Sequence, residues 1–135
     1  MRLLTLLFSL GLSTLSFSQI YFSCNYREEC QWNKEVKQFE ECNKLEDLSM
    51  FVLNVDRTMF YHTSVSGKSA YYIQKNVKDD VKDVHTYEVY SDDGRKYLFV
   101  LDIAHSEFRI MPLGSDEVYM LRYYIKKSWT EEVTE

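Results

Sequence analysis

The sequence predicts an all-β domain of about seven antiparallel strands, joined in a meander that forms a small barrel or a strongly curled sheet. After Leu48, apolar and polar residues alternate through most of the chain, which is the pattern of strands with one buried face. The links between these segments are short, and neighbouring strands with short links pair antiparallel. Strands do not alternate with helices of crossover length, so we do not expect a parallel α/β fold.

Each predicted strand is a run rich in β-branched and aromatic residues that ends at a turn signal. The clearest turn is Asp93-Gly94, because glycine accepts the positive φ that tight hairpin turns require. Residues 76–83 are predicted as a charged connection, and residues 112–116 as a second turn. The predicted strands cover residues 49–54, 58–63, 70–74, 84–90, 96–103, 108–111 and 118–126.

Alternation within these strands gives a set of bulky side chains that share the inner face. A barrel of about seven strands has an interior that such side chains fill. The predicted inner residues include Phe51, Leu53, Phe99, Leu101, Leu121 and Tyr123.

Residues 30–45 support two interpretations. Trp32, Val36 and Phe39 have the i, i+4, i+7 spacing of an amphipathic helix, and the residues between them favour helix. A hairpin that turns near residues 34–37 would instead place Cys30 opposite Cys42 on adjacent strands. A short N-terminal helix therefore remains an alternative to the hairpin at this point.

The three cysteines predict one structural disulfide, since the chain is expected to be exported to an oxidising compartment. A hairpin pairs Cys30 with Cys42, whereas a helix separates them by about 18 Å and leaves Cys24 as the partner of one of them. Their spacing does not resemble a zinc site and no histidine is near them in sequence, so we expect neither a metal nor a cofactor.

Residues 1–18 have the pattern of a secretory signal peptide. Arg2 precedes an apolar run that is too short to span a bilayer, and Ser16 and Ser18 suit cleavage after residue 18. The expected organisation is therefore a signal at 1–18, a single β domain at 19–128 and a polar tail at 129–135, with no membrane span. Lipidation at Cys24 is a minor alternative, because the residues before Cys24 do not fit a lipidation motif.

Composition limits the classes of function. The chain has 135 residues and a formal net charge of −5, so it is one domain at most and lacks the basic surface of a nucleic-acid-binding protein. Four glycines are too few for a glycine-built phosphate site. We therefore expect no nucleic acid among its partners.

No catalytic motif is evident, and we expect that the protein is not an enzyme. His62, His85 and His105 lack the spacing of metal ligands and are interpreted as surface residues. Asp102 and His105 lie near each other in sequence, but no nucleophile motif such as Gly-x-Ser-x-Gly accompanies them. The acidic pairs in the loops do not have the spacing of a calcium-binding loop.

Eleven tyrosines exceed expectation for a chain of this length. Successive side chains of a strand point to opposite faces, so one ring of the adjacent pair Tyr71-Tyr72 faces inward and the other faces outward. Outward rings from this pair, Tyr90 and Tyr124 are candidates for a binding surface, since tyrosine combines a large contact area with a polar tip. The alternative is that tyrosine simply suits strands.

The motifs resemble small uncharacterised exported proteins of Gram-negative bacteria. The resemblance is carried by the Trp32, Phe39 and Cys42 stretch, by residues 49–54 and 58–63, and then by the segments 68–73 and 87–97. It covers most of the chain after the signal and implies export and one β-rich domain. The predicted topology is loosely similar to lipocalin-like barrels, without a Gly-x-Trp motif.

These observations predict a small exported, non-enzymatic binding or interaction module, located in the periplasm or outside the cell. Its partner is expected to be a protein of unknown identity. The alternative is a lipocalin-like carrier of a small apolar ligand. The two hypotheses differ in the volume left inside the barrel, because a carrier needs an empty pocket of a few hundred Å³.

Overall fold

A computed structural model describes residues 17–114 and 118–133, and this part of the chain consists of strands and turns. Most of the expected signal peptide, residues 1–16, lies outside the described residues. The strands are β1 (Phe17–Asn33), β2 (Gln38–Leu53), β3 (Met59–Ser64), β4 (Gly67–Asp79), β5 (Val84–Ser91), β6 (Lys96–Asp102), β7 (Glu107–Leu113) and β8 (Tyr119–Val133).

The eight strands form a closed antiparallel barrel in sequence order. Each strand pairs with the next, and β1 closes the barrel by pairing with β8 from Phe17 opposite Val133 to Gln31 opposite Tyr119. The predicted all-β meander is therefore confirmed. The strand count is eight because β1 adds a strand that the alternation pattern did not predict.

The segment 30–45 is a hairpin and not a helix. The turn occupies the four residues between Asn33 and Gln38, and Trp32 pairs with Phe39 across the two strands. Cys30 and Cys42 form a disulfide with their Cα atoms 4.1 Å apart. Cross-strand pairing outweighs the helical propensity of the intervening residues, and the disulfide holds the hairpin that extends from the barrel.

Two predicted boundaries differ from the structure. Residues 76–79, expected in a connection, continue β4 and pair with β5 as far as Asp79 opposite Val84. Residues 129–133, expected in a polar tail, continue β8 because β1 provides them with backbone partners. The expected cleavage point after Ser18 lies within β1.

Three hairpin turns share one local design. In each, a side-chain oxygen at the end of a strand accepts hydrogen bonds from backbone N–H groups two or three residues later, which orders the turn. The anchoring residues are Asn33, Asp79 and Asp102. Each turn has four residues and ends in a residue with positive φ, namely Lys37, Asp83 and Ser106.

Aromatic side chains fill the barrel interior. Phe51 is fully buried in the barrel interior. Its ring is stacked on Phe108 at a centroid distance of 4.3 Å and edge-on to Phe99 at 6.5 Å. Phe60 contacts Tyr87 and Phe99 in the same interior. Such close ring contacts leave little space between the strands, as the sequence predicts for a small barrel.

Strand lengths are unequal, and this inequality shapes one end of the barrel. The short strand β3 pairs with β2 only between Met50 and Leu53. Among the described residues, no strand pairs with the outer side of β2 from Gln38 to Ser49. The β1–β2 hairpin therefore projects beyond the barrel, and its inner residues border the adjacent opening.

Candidate binding site at one end of the barrel

The candidate site lies at the end of the barrel that carries the β3–β4 and β5–β6 turns, which we call the open end. Here a depression of about 520 Å³ opens to solvent between the projecting part of β2 and the β3–β4 turn. Its lining residues are Arg27, Glu46, Asp47, Leu48, His62, Ser64, Val65, Ser66 and Tyr123.

Arg27 extends from β1 across the floor of this depression. Its Nη2 lies 3.1 Å from Glu29 and its Nη1 lies 3.5 Å from Asp47. It also hydrogen-bonds to the Tyr123 hydroxyl. The Nε atom, however, is buried and has no hydrogen-bond partner among the described residues.

His62 lies beside Arg27 and closes the top of the aromatic core. β3 places it opposite Phe51, and the two rings stack at 4.3 Å with an angle of 5° between their planes. Burial lowers the pKa of His62; Asp47 acts in the opposite direction and the charge of Arg27 lowers it again. The imidazole is therefore neutral at pH 7. Its Nε2 is buried and has no hydrogen-bond partner in the part of the chain that the structure describes.

Tyr123 forms the floor, edge-on to Phe51 at 5.0 Å. Burial raises its pKa to about 12, although Arg27 beside it acts in the opposite direction, so the hydroxyl stays protonated. At the rim, Leu48 and Val65 are 66% and 92% exposed. The site thus combines an aromatic floor, a polar wall and an aliphatic rim, which are the components of a small-molecule or peptide site.

The four predicted tyrosine candidates do not lie together. Tyr71 faces inward and packs on Tyr97 and Phe99. Tyr72 and Tyr90 are cross-strand neighbours on the outside of β4 and β5, and Tyr72 is 46% exposed. Tyr124 lies elsewhere on the outer face, where its hydroxyl donates to Glu28.

Asp102 and His105 do form a pair, with Nδ1 of the imidazole 2.9 Å from the carboxylate. Arg109 lies on the same carboxylate at 3.4 Å. Burial opposes ionisation of Asp102, but the hydrogen bonds from His105 and the charge of Arg109 hold its pKa below the usual value. Within the described residues no hydroxyl group hydrogen-bonds to His105, so the pair lacks the nucleophile that a triad requires.

The cysteines complete the set of predicted site residues. Cys30 and Cys42 form the disulfide, as the hairpin interpretation predicts. Glu28, Cys30 and Cys42 are the group of potential metal ligands found among the described residues. The two sulfurs are bonded to each other, so neither is a thiolate that could bind a metal. Cys24 is free and buried, and burial raises its pKa to about 12, so its thiol is protonated and unreactive.

Sequence reasoning missed Arg27 and Asp47 and assigned His62 to the surface, which is wrong. A signal for His62 was present, because it is two residues from Phe60 in a strand and therefore shares the inner face. Arg27 and Asp47 carried no such signal. Both lie next to irregularities in the β1–β2 pairing, where the register shifts between Cys24 and Tyr26.

Comparison of the chain with protein-family models, curated proteins and solved structures gives no match. In the described part of the chain, no helix has the length and apolar character needed to cross a membrane.

Proposed function

We propose that the protein is a small exported, non-enzymatic binding module whose ligand occupies the open end of the barrel. The observation that carries the proposal is the solvent-open depression of about 520 Å³, in which charged, aromatic and aliphatic side chains line one space. Ligand sites are usually concave and combine apolar groups with a few convergent polar side chains, and the depression has both.

The packed interior disfavours the carrier alternative. Phe51, Phe60, Phe99 and Phe108 are fully buried and in mutual contact along the barrel. A carrier holds its apolar ligand at this position and needs an empty volume of a few hundred Å³. A ligand therefore has access to the end of the barrel and not to its centre.

The disulfide supports the exported location. A Cys30–Cys42 bond fits an oxidising compartment, which agrees with the signal pattern of residues 1–18. We propose the periplasm or the extracellular space as the site of action. Burial of the Cys24 side chain in β1 disfavours lipidation at this position.

The test is a screen of small water-soluble compounds, neutral and charged, observed by backbone-amide and imidazole NMR on the disulfide-bonded protein. We expect shifts that centre on Arg27, His62 and the Ser64–Ser66 turn. Shifts of Phe99 and Phe108 with apolar compounds would support the carrier. Shifts confined to Tyr72 and Tyr90, or none with any compound, would contradict a binding site at the open end.

A further inference from the structure

We propose that two copies of this chain associate by antiparallel pairing of the last part of β8, residues 126–132, about a twofold axis at Trp129. We call this segment the β8 edge. It lies at the end of the barrel opposite the open end, so the inference does not depend on the proposed function. It follows from the unpaired backbone of the β8 edge, the order of its charges and the aromatic residue at its centre.

The β8 edge has a strand on one side only. β7 pairs with β8 as far as Glu107 opposite Tyr124, and the N–H group of Ile125 donates to the Ser106 carbonyl at 2.9 Å. Among the described residues, no strand pairs with β8 on this side beyond Ile125. The backbone groups of the β8 edge that point away from β1 are therefore available to another strand.

On its other side, the β8 edge is held by β1. The pairing continues without a register shift from Ser23 opposite Lys127 to Gln19 opposite Glu131, so the backbone is regular here. Cleavage after Ser18 leaves all of these pairs in place. A regular free edge of this kind can add a strand from a partner through main-chain hydrogen bonds.

The charges of the β8 edge are arranged for pairing with a second copy. The segment reads Lys-Lys-Ser-Trp-Thr-Glu-Glu, so basic and acidic residues lie at equal distances on either side of Trp129. In an antiparallel pair centred on Trp129, Lys127 of each copy comes opposite Glu131 of the other. Opposite charges directly across two strands stabilise their pairing, whereas like charges destabilise it.

These two charges cannot pair with each other inside one copy. Four residues separate Lys127 from Glu131, which is about 13 Å along a strand. Both side chains contact Trp129, because the Lys127 ammonium lies 5.4 Å from the ring centroid and Glu131 accepts from Nε1 at 3.4 Å. A second copy therefore supplies each exposed charge with the opposite charge that its own strand does not bring near.

Trp129 provides the centre of the contact. Its ring stacks on Tyr21 of β1 at a centroid distance of 5.3 Å, with 7° between the planes. A twofold axis at this position places the two Trp129 rings side by side, each supported by the Tyr21 of its own copy. Aromatic pairs across neighbouring strands stabilise antiparallel sheets.

The free edges of β2 and β4 fit a second copy less well. The pairing of β2 has two register shifts, and the charges of its free part are mainly acidic, so two such edges repel each other. In β4, pairing about Val77 would place Lys75 opposite Asp79, but the Asp79 carboxylate already anchors the β4–β5 turn. The β8 edge is regular and keeps both of its charges available.

Sedimentation equilibrium of the disulfide-bonded protein over a concentration series is the first test. We expect a monomer–dimer equilibrium with a dissociation constant on the order of 100 μM, which is normal for a small interface. Hydrogen exchange measured above and below this concentration locates the contact. We expect slower exchange in the dimer at amides of the β8 edge and no change at residues 75–79 of β4.

Charge reversal tests the register of the pairing. Lys127→Glu and Glu131→Lys each place like charges opposite each other, so each is expected to weaken self-association by about tenfold or more. A mixture of the two variants again has opposite charges across the axis, and it should form a heterodimer with about the affinity of the parent. The double variant Lys127→Glu/Glu131→Lys should form a homodimer for the same reason.

Lys75→Glu is the matched control. It makes the same change in net charge at an exposed lysine on the free edge of β4, and the dissociation constant of the dimer should stay as in the parent. A dimer that is weakened by Lys75→Glu and not by Lys127→Glu would assign the contact to β4 and overturn the inference.

Two further results would also overturn it. One is a protein that remains monomeric at about ten times the expected dissociation constant. The other is a dimer whose affinity is unchanged in Lys127→Glu and Glu131→Lys, or is not restored when the two variants are mixed. Each of these results concerns self-association alone and leaves ligand binding at the open end to its own test.

Discussion

His62 is the last ring of a parallel stack that continues through Phe51 to Phe108. The stack places an ionisable group on top of a core made of phenylalanine. This position explains why the imidazole resists protonation, since a charged ring would have to leave water at the point where the apolar interior begins. The same position makes His62 part of the lining of the candidate site.

The lowered pKa of His62 predicts a pH dependence of stability. The unfolded chain binds a proton on this residue more readily than the folded chain does, so acid favours unfolding. The stabilising contribution is complete above the unfolded pKa of about 6.5 and is lost as pH falls below it. We expect the free energy of unfolding of His62→Phe to decrease less between about pH 7 and pH 5 than that of the parent.

Urea unfolding at several pH values measures this difference. Asp102, whose pKa is also lowered, loses its contribution only at lower pH, near and below the usual pKa of a carboxyl group. The two effects are therefore separable. If the free energy of unfolding changed equally with pH in the parent protein and in His62→Phe, the lowered pKa of His62 would be contradicted.

Lys37 predicts a stabilising substitution. Its φ of 54° is a left-handed conformation that costs a residue with a Cβ atom about 1 kcal/mol. Lys37→Gly removes this conformational cost. Glycine also makes the unfolded chain more flexible, which opposes folding and cancels part of the gain. We therefore expect the free energy of unfolding to rise by up to about 0.5 kcal/mol.

Lys34→Gly is the matched control for Lys37→Gly. It changes the same residue type in the same turn, where φ is not positive, so only the entropic loss remains and stability should fall. Thermal unfolding of both variants decides the point. A loss of stability in both would show that the turn does not bear conformational strain at residue 37.

At the scale of the elements, the hairpin turns show which local sequence signals identified a turn and which did not. Asp93-Gly94 was predicted as a turn from glycine alone, and Gly94 has a φ of 83°. The turns that begin at Asn33 and Asp79 contain no glycine, and their common feature is an anchoring side-chain oxygen. A search for asparagine or aspartate before a four-residue segment of mainly charged residues would have found them.

Asp79→Ala tests this anchoring role. The Asp79 carboxylate accepts from the N–H groups of Val81 and Lys82 at 3.1 and 3.2 Å. Its removal leaves both turn donors to water, and we expect a loss of about 1 kcal/mol with faster amide exchange at these two residues.

Asp80→Ala is the neighbouring control. Its carboxylate forms an exposed ion pair with Lys78 at 3.2 Å, a type of interaction that contributes little to stability. Hydrogen exchange and urea unfolding of the two variants measure the contrast. If both variants lost the same stability, the turn would depend on charge and not on the hydrogen-bonded anchor.

β1 shows why a strand can escape prediction. Register shifts near Cys24 and Cys30 interrupt its alternation, so apolar residues do not recur every second position. The cysteine symmetry favoured its hairpin with β2, since Cys30 and Cys42 are equidistant from residue 36, whereas helical propensity favoured a helix in the same segment. A pairing constraint was therefore informative where the hydrophobic pattern was not.

At the scale of the whole molecule, the sequence predicted the fold better than the site. The fold depends on repeated alternation, and the predicted inner residues Phe51, Leu53, Phe99 and Leu101 are all buried. The site depends on a few residues from β1, β2, β3 and β8 that only the barrel register brings together. No local pattern encodes that register, because it results from strand lengths and bulges in different parts of the chain.

Phe108→Ala tests the packed interior. Phe108 contacts Phe22, Phe51, Phe60 and Phe99, so truncation leaves a cavity that no single neighbour can fill. We expect a loss of about 3–5 kcal/mol by urea unfolding. We also expect new binding of small apolar molecules such as benzene, seen as recovered thermal stability.

Tyr72→Ala provides the comparison, because it removes an aromatic ring from the outside of the barrel. Its cross-strand contact with Tyr90 accounts for less than about 1 kcal/mol. Benzene should not stabilise this variant or the parent. Stabilisation of the parent by benzene would indicate an internal cavity and would return support to the carrier alternative.

The pairing of β1 with β8 also determines when the barrel can exist. These are the first and last strands, and they meet along most of their length. While residues up to Leu113 alone are available, β1 has one edge without a partner and the aromatic interior stays open on that side. Closure must wait for the last strand, which makes folding slow in comparison with local hairpins. A chain of this design is therefore most exposed to aggregation just before its last strand is complete, because the aromatic interior is then the part still open to water.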